Sequence, residues 1–198
     1  GFRDKIRSES AEAIRRLKEL GIRRCAMVTG DRESVAKGVA AKLNIDEFKG
    51  DCLPEGKVAY IEDLKKSSLV AFVGDGVNDA PALAAGDLGI AMGAIGSDIA
   101  INSASIALMT NDLRRIPMLI TLARKSSTII HQNVAFGFLF VLCGIVLSVF
   151  GWMGPIAAAM FHTCSTLIII FNSARLLRTG EDATSQELSS WRRALIQE

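Results

Sequence analysis

The sequence has few cysteines, histidines, prolines and aromatic residues. Among 198 residues there are four Cys, two His and four Pro, and 6% of the residues are aromatic. The cysteines show no C-x-x-C spacing and are too sparse for a disulfide-rich scaffold, so they are expected to be reduced thiols in a cytosolic or membrane setting. The net charge is only +2, which gives no support for binding to nucleic acid or to an acidic substrate.

A signal peptide and an initiating Met are also lacking, because Gly1 leads directly into helix-like sequence. The chain is therefore expected to be a fragment, or the second half of a longer protein. Charge is missing from one long segment as well. Between Asn133 and Asn172 the only ionisable side chains are Cys143, His162 and Cys164, a composition typical of membrane spans, whereas the sequence before it resembles a soluble α/β protein.

The most informative stretch begins with an apolar run at residues 69–73, which predicts a buried parallel strand, and ends in an Ala-rich segment that predicts a helix. Asn78 or Asp79 is expected to cap this helix, with Pro81 inside its first turn. The turn presents Asp75 and Asp79 at the carboxyl end of a strand, where open α/β sheets bind ligands. Paired carboxylates beside free amides suit Mg²⁺ that carries a phosphate.

Helices and short strands alternate along the chain before this stretch and after it. Strands are predicted at 25–28, near Phe48, and at 69–73, 88–92 and 105–109. Gly21 is expected to stop the first helix in the left-handed conformation. One face of each of three helices is apolar: Ala13, Ile14, Leu17 and Leu20; Val35, Val39 and Leu43; and Val58, Ile61 and Leu64. This order predicts a doubly wound parallel sheet.

Three loops are expected to meet at the carboxyl edge of that sheet. They hold the Thr-Gly-Asp turn that starts at Thr29, Lys57 at the start of its helix, and the pair Asp75 and Asp79. A phosphoryl site needs a hydrogen-bond donor, a fixed cation and metal-binding carboxylates, and these residues would supply them. Each alone has an ordinary structural interpretation, since Thr29 could only cap a helix and Lys57 could be a solvated lysine. Their joint occurrence favours a site.

The string Gly-Asp-Gly-Val-Asn-Asp-Ala-Pro-Ala-Leu at 74–83 resembles the hinge motif of the P-type ATPases, which are cation pumps whose phosphorylation domain has the haloacid dehalogenase fold. The similarity continues at 86–93 and runs from about Asp4 through Asp112. It implies a partial α/β haloacid dehalogenase-like domain with ATP and Mg²⁺ as ligands. It also implies phosphoryl binding by Thr29, Gly30, Asp31 and Lys57, and positioning of Mg²⁺, water or the nucleophile by Asp75, Asn78 and Asp79.

The family's phosphorylated aspartate lies in an Asp-Lys-Thr-Gly-Thr segment, which this sequence does not contain. Asp4 and Lys5 are followed by Ile6 rather than by Thr-Gly, and the family's actuator and nucleotide-binding domains are not seen either. The nucleophile is therefore expected in a missing N-terminal part of the same pump, which would also bind most of the ATP. The chain alone is predicted to have no ATPase activity.

Two spans are predicted at about 134–151 and 155–172, each near the length that crosses a bilayer, with an interfacial Trp152 in the turn between them. Arg124 and Lys125 precede the first span, and Arg175 and Arg178 follow the second, so both ends of the hairpin are expected in the cytosol of a multi-pass protein of the cell membrane. The predicted domains are a cytosolic phosphorylation subdomain at 1–112, a linker helix at 113–132, the transmembrane hairpin at 133–178 and a polar cytosolic tail at 179–198.

Polar residues inside the spans are candidates for an ion path, because burying them without partners is costly. Cys143 and Cys164 are predicted at similar depth, with His162, Ser165 and Thr166 close to the latter along the chain. Thiolate and imidazole select transition metals such as Zn²⁺, Cu⁺, Co²⁺ or Fe²⁺. Packing is the more ordinary interpretation of Cys143, and His162 is either an ion ligand or a satisfied polar residue.

A hairpin directly after the hinge domain resembles the heavy-metal-transporting branch of the P-type ATPases. The string His-Thr-Cys-Ser-Thr at 162–166 is similar to the His-Glu-Gly-Ser/Gly-Thr signature of the cobalt-type subgroup, with Thr163 and Cys164 in place of Glu and Gly. The Asp of the zinc, cadmium and lead subgroup and the Met-x-x-Ser-Ser of the copper subgroup are not seen. The transported metal is left open.

The favoured hypothesis is the C-terminal part of an ATP-driven transition-metal transporter. The alternative is a truncated, non-catalytic membrane subunit that associates with a full-length pump. A membrane-anchored phosphatase ranks last because it needs a nucleophilic aspartate of its own. The tail, with Leu188, Trp191 and Leu195, is expected to form a short interfacial helix or to be disordered.

Overall fold

The computed structural model of the chain describes residues 6, 8–74, 77–93 and 98–196. Asp75 and Gly76 of the predicted turn lie outside the described residues. The chain divides into two compact units, Gly1–Pro117 and Met118–Glu198. Each unit is described by itself below.

The first unit alternates helices and short strands, as the sequence predicts. Its helices are α1 (Ser8–Glu19), α2 (Glu33–Leu43), α3 (Pro54–Lys65), α4 (Ala80–Ala85) and α5 (Asp98–Ser103). Its strands are β1 (Ala26–Val28), β2 (Glu47–Lys49), β3 (Ala71–Gly74), β4 (Leu88–Met92) and β5 (Ile106–Leu108). A single 3₁₀ turn, Val77–Asp79, precedes α4. Each predicted strand is confirmed, with ends that differ from the predicted ones by at most two residues.

All of the described strand pairs are parallel, which confirms the predicted sheet type. The hydrogen-bonded strands nevertheless form two sheets, β1-β2 and β3-β4-β5, rather than one. Val28 lies opposite Lys49 in the first sheet, and Gly74 lies opposite Ala91 in the second. Among the described residues, β1 and β3 therefore each have one edge without a partner strand.

The first helix ends as predicted, whereas the second buries a different set of residues from the predicted one. Gly21, with φ of 81°, ends α1 in the left-handed region, and Asn44, with φ of 53°, ends α2 in the same way. In α2 the buried residues are Ala36 and Ala40, whereas Val35 is 51% exposed. The predicted stripe that included Val35 is wrong by one residue, because the alanines let the helix backbone approach its neighbours closely.

The core of the first unit lies between α4 and the three-stranded sheet. Leu83 and Ala91 are fully buried there, and Phe72 and Ala104 pack against them. Gly89 of β4 lies under α4 so closely that a Cβ atom would collide with the carbonyl oxygen of Leu83. Close contact between the helix and the central strand therefore requires glycine at this position.

Asp87 fixes the start of the strand that leads into the predicted site. Its Oδ2 accepts a hydrogen bond of 2.9 Å from the backbone N–H of Val70, and its Oδ1 lies 3.2 Å from Nζ of Lys65. The Val70 N–H is the main reason that the pKa of Asp87 lies below its ordinary value. The carboxylate thus ties β3 to the end of α3.

Asp112 begins the long helix that leaves the first unit. Its Oδ1 accepts from the backbone N–H of Arg114 at 3.0 Å, and the Arg114 guanidinium donates to both of its carboxylate oxygens. Burial raises the pKa of Asp112, but these hydrogen bonds outweigh it and hold that pKa below its ordinary value. A charged cap of this kind fixes where the helix starts.

The second unit is a helical hairpin. Helix α6 runs from Arg115 to Val149 and helix α7 from Pro155 to Ile196. The segments Arg115–Val149 and Pro155–Leu177, with mean hydropathies of 2.0 and 1.5 in their most apolar windows, are long and apolar enough to cross a bilayer. The predicted linker helix is not separate, since α6 continues through it, and α7 continues into the predicted tail. Pro117 lies within the first turn of α6, where a missing N–H is tolerated, and the extension of α7 beyond residue 178 contains no proline.

The two helices of the hairpin meet along one seam. The half-buried residues repeat at steps of three or four, which is the spacing typical of a left-handed helix pair. On α6 these seam residues are Asn133, Gly137, Phe140, Gly144 and Leu147, and on α7 they are Ala158, Phe161, Ser165, Ile169, Asn172 and Leu176. The rings of Phe140 and Phe161 touch across the seam, with centroids 5.0 Å apart.

We predict that Gly89→Ala destabilises the chain by about 1–3 kcal/mol, because the added methyl group meets the α4 backbone and neither can move without disturbing the core. Gly38→Ala is the matched control. Gly38 lies in α2 with nothing within 4 Å of its Cβ position, so alanine there is neutral or stabilises by up to about 1 kcal/mol. Denaturant unfolding of the chain in detergent micelles measures both, and equal effects would contradict the close packing at Gly89.

Candidate phosphoryl site and membrane groove

The predicted Thr-Gly-Asp turn directly follows β1. Oγ1 of Thr29 accepts a hydrogen bond of 3.1 Å from the backbone N–H of Asp31 and lies 3.2 Å from Oδ2 of the same residue. The backbone N–H of Thr29 donates to the carbonyl oxygen of Lys49 at 3.0 Å. Thr29 is half-buried and Asp31 is exposed. The turn therefore holds the Thr29 hydroxyl at the carboxyl end of β1 and leaves the Asp31 carboxylate open to solvent.

Cys52 is a member of this site that the sequence analysis did not single out. It is 6% exposed, and its backbone N–H donates to the carbonyl oxygen of Thr29 at 3.0 Å. A Cβ atom on Gly56 would lie 3.1 Å from its Sγ, and one on Gly30 would lie 3.7 Å from its carbonyl oxygen. Cys52, five residues before Lys57, thus joins the Thr29 turn to the start of α3. No sequence motif marks a cysteine with this packing role.

Lys57 and Asp79 form the central contact of the site. Nζ of Lys57 lies 2.6 Å from Oδ1 of Asp79, and the two side chains are only 16% and 14% exposed. The sequence placed both residues in the site, and the structure brings them together. The predicted capping role of Asp79 is wrong, because its side chain makes no cap hydrogen bond to α4. Its carboxylate turns to the lysine instead.

The backbone of β3 is shaped around the Asp79 carboxylate. A Cβ atom on Gly74 would lie 2.8 Å from Cβ and 2.9 Å from Oδ2 of Asp79. Glycine at the end of the strand therefore leaves the space in which the carboxylate lies. Asn78 is exposed beside it, and Pro81 lies in the first turn of α4 as expected. Asp75, the other predicted Mg²⁺ ligand, lies outside the described residues.

In the hairpin, a groove of about 390 Å³ lies beside the seam and is lined by His162 and Ser165 among mostly apolar residues. Cys143 and Cys164 are exposed and are not among its lining residues. His162 and Cys164 are two positions apart, so a helix points their side chains about 200° apart. The hydroxyl of Thr166 donates to the carbonyl oxygen of His162 at 3.1 Å. Of the predicted ion-path residues, the structure brings only His162 and Ser165 to one groove.

Within the described ranges, no three His, Cys, Asp or Glu side chains cluster as they would to hold a metal ion. The sequence analysis also overlooked a group of amide side chains at the other end of the hairpin. Asn133 on α6 and Asn172 on α7 are hydrogen-bonded to each other at 2.8 Å. Polar residues at the end of an apolar run could indicate such a group, but the sequence analysis uses Asn133 and Asn172 only as the limits of the uncharged segment.

Comparison with known proteins agrees with this arrangement. Residues 2–87 match the haloacid dehalogenase-like hydrolase family. A probable cadmium-transporting ATPase of Listeria monocytogenes is 42% identical over 90% of this chain and 25% of its own length. A manganese-exporting P-type ATPase of Mycobacterium leprae is 40% identical over 89% of this chain and 25% of its own length. The chain is a homologue of the heavy-metal P-type ATPases.

A solved structure extends the similarity of this heavy-metal ATPase homologue across both units. A zinc-transporting PIB-type ATPase in its E2.Pi state has a TM-score of 0.80 and 37% identity, and the match covers 88% of this chain and 28% of that one. The chain spans about a quarter of the length of the curated relatives it matches. The predicted haloacid dehalogenase-like fold and the predicted family are confirmed.

We predict that Lys57→Met lowers the free energy of unfolding by about 1–3 kcal/mol, because it leaves the Asp79 carboxylate largely buried without its cation. The double variant Lys57→Met/Asp79→Asn should regain part of this loss. Lys66→Met is the matched control. Lys66 pairs with Asp63 where the two side chains are 76% and 74% exposed, so its loss changes stability by less than about 0.5 kcal/mol. Equal losses at Lys57 and Lys66 would contradict the importance of the buried pair.

Proposed function

We propose that this chain is the C-terminal part of an ATP-driven transition-metal transporter. The observation that carries the proposal is the buried Lys57–Asp79 pair at the carboxyl end of β3, in a haloacid dehalogenase-like domain whose last strand is followed by a helix able to enter a membrane. A phosphoryl site and an apolar hairpin in one chain are the two parts that a phosphorylation-driven pump must connect.

In this proposal Lys57 supplies the fixed positive charge beside a transferred phosphoryl group, and the Thr29 hydroxyl and the backbone of Gly30 donate hydrogen bonds to its oxygens. Asp31, exposed in the same turn, adds to the electrostatic environment of the group. In the structure the Thr29 hydroxyl donates to Asp31 and the Thr29 N–H donates to the carbonyl oxygen of Lys49. The hydroxyl would therefore exchange its hydrogen bond to Asp31 for one to a phosphoryl oxygen when the group binds.

The residues present fit a Mg²⁺ ion. Mg²⁺ prefers carboxylate oxygens together with phosphate oxygens and water, and the absence of a side chain on Gly74 lets the Asp79 carboxylate lie at the carboxyl end of β3. Asp79 and Asp75 would hold the ion, with Asn78 positioned to orient water. When bound, Mg²⁺ supplies positive charge against the charge of the phosphoryl oxygens.

The nucleophilic aspartate and most of the ATP contacts belong, in this proposal, to a part of the pump upstream of this sequence. The open edges of β1 and β3 support it. An unpaired strand edge has free N–H and C=O groups that a further strand would satisfy, and a strand between them would end beside both Thr29 and the Lys57–Asp79 pair. In this proposal the partners of the chain are the upstream segment, ATP, the metal cation and lipid.

The hairpin would lie in the cell membrane with both ends in the cytosol, since Arg124, Lys125 and Arg175 flank the spans at the end opposite the turn. His162 and Ser165, which face one groove, are the proposed contacts of the transported ion in this chain. Cys164 and Thr166 would meet the ion only from another face of α7. An imidazole ligand favours a transition metal over Na⁺ or K⁺.

In the complete pump, we predict that Asp75→Asn lowers the acid-stable phosphoenzyme formed from ATP and Mg²⁺ by on the order of a hundredfold, because the site loses a carboxylate charge for the ion. Asp63→Asn is the control, since Asp63 is an exposed residue of α3, and it should leave the phosphoenzyme unchanged. Near-normal phosphoenzyme in the Asp75 variant at saturating Mg²⁺ would remove this residue from the site.

We predict that His162→Ala raises the metal concentration that gives half-maximal ATPase stimulation by roughly 10- to 100-fold, through loss of one ligand. His131→Ala is the matched control. The ring of His131 is hydrogen-bonded to the carbonyl oxygen of Ser127 in its own helix at 2.7 Å, away from the groove, so its loss should leave the metal dependence unchanged. The same metal dependence in both variants would exclude His162 from the ion path.

A further inference from the structure

The end of the hairpin opposite its turn carries a group of hydrogen-bonded polar side chains, the amide cluster. It consists of Gln132, Asn133, Asn172, Ser173 and Arg175. Nδ2 of Asn133 donates to Oγ of Ser173 at 2.8 Å, and Nδ2 of Asn172 donates to Oδ1 of Asn133 at 2.8 Å and approaches Oε1 of Gln132 at 3.4 Å. The cluster therefore joins α6 to α7 by three contacts between positions about 40 residues apart in sequence.

Asn133 and Asn172 occupy seam positions of their helices, where the other residues are apolar or small. Two apolar helices in lipid gain little from burying apolar surface against each other, so packing and interhelical hydrogen bonds decide how they associate. An apolar seam alone allows neighbouring registers, because one apolar contact replaces another. A single asparagine at a seam position fixes the register, since any slip leaves its amide without a partner.

Other contacts along the seam agree with one fixed register. A Cβ atom on Gly137 would lie 3.9 Å from Cδ1 of Ile169, and one on Gly144 would lie 3.7 Å from the ring of Phe161. These are ordinary packing distances, and a slip of one turn would place large residues against each other where glycine now makes room. The amide cluster closes the hairpin at one end, and the covalent turn closes it at the other.

We propose that Asn133 and Asn172 are positioning residues that lock α6 and α7 in one register, so that a displacement of α6 moves the groove face of α7. The proposal rests on the transport function proposed above. Asn172 is ten residues from His162, which is about 15 Å along one helix, so the lock acts on His162 through the helix and not by contact. Helix α6 starts at Arg115, soon after β5, and reaches the seam without an internal break.

The charges of the cluster favour a lock over a cation site. The guanidinium of Arg175 donates to Oδ1 of Asn172 at 3.1 Å. An amide oxygen that already accepts from a positive group is a poor ligand for a metal ion, because the ion and the guanidinium repel each other. Oδ1 of Asn133 is likewise occupied by the amide of Asn172.

The test compares Asn133→Asp and Asn172→Asp with the double variant in the complete pump. In Asn133→Asp the carboxylate still accepts from Nδ2 of Asn172, and in Asn172→Asp it accepts from Nδ2 of Asn133 after that amide turns from Ser173. In the double variant two acceptors of like charge face each other, so the lock is broken. We expect the single variants to keep near wild-type metal-stimulated ATPase activity. The double variant should lose about tenfold in maximal stimulation with little change in the metal concentration for half-stimulation.

A second measurement follows the register without using transport. In the 198-residue chain in lipid vesicles, with its four native cysteines replaced by serine, Gly137→Cys and Ile169→Cys place two thiols face to face. Disulfide formation between them under mild oxidation should be rapid in that background and in each single aspartate variant. It should be slower by about tenfold in the double aspartate variant, because α6 and α7 no longer hold one register.

Unchanged cross-linking in the double variant would overturn the lock, and so would a single aspartate variant that loses as much stimulation as the double. If cross-linking falls but maximal stimulation does not, the claim that the register matters for coupling is overturned. A complete wild-type pump without metal-stimulated activity would instead contradict the proposed function, and the cross-linking result would still decide whether the amide cluster sets the register.

Discussion

The ion pair between Lys57 and Asp79 is the contact on which the candidate phosphoryl site depends. The two residues follow strands of different sheets along the chain: Lys57 comes after β2, and Asp79 comes after β3. The described strands of these two sheets are not hydrogen-bonded to each other. A pair at 2.6 Å with both side chains largely buried is weakly screened by water, so its attraction is strong and its rupture is costly. Together with the link from Lys65 to Asp87, it holds the two sheets in one arrangement around the site.

The sequence predicted the strands of this unit well, because they follow from local rules. Short apolar runs between turn residues indicated four of the five strands, β2 being expected only near Phe48, and the sequence did not predict that the strands form two sheets. The partner of Asp79 was not predictable in the same way. Asn or Asp before an Ala-rich helix is the normal signal for a cap, and the competing lysine lies 22 residues earlier. A non-local ion pair replaced a local hydrogen bond.

Two other differences between prediction and structure also arise from three-dimensional packing that a sequence pattern does not report. In α2 both the valine stripe and the neighbouring alanine stripe fit a helical period, and hydrophobicity favours the valines. The structure buries Ala36 and Ala40 instead, because small side chains allow close approach, which a hydrophobicity pattern does not report. In the hairpin, counting from the turn placed Cys143 and Cys164 at similar depth, with His162 half a turn from Cys164, but depth ignores rotation about the helix axis. Two positions along a helix turn the side chain to nearly the opposite face.

In the hairpin, the position of a residue on its helix also matters more than its residue type. Glycine and asparagine in an apolar helix look unfavourable by composition, since one weakens the helix and the other is polar. At seam positions both residue types have a partner on the other helix. Gly137 packs against Ile169 and Gly144 against Phe161. Asn133 accepts a hydrogen bond from Asn172. Large apolar residues in their place would make each helix more stable alone and the pair less specific. Helix α6 is continuous through this seam, so the paired asparagines join two unbroken helices at a defined position along each.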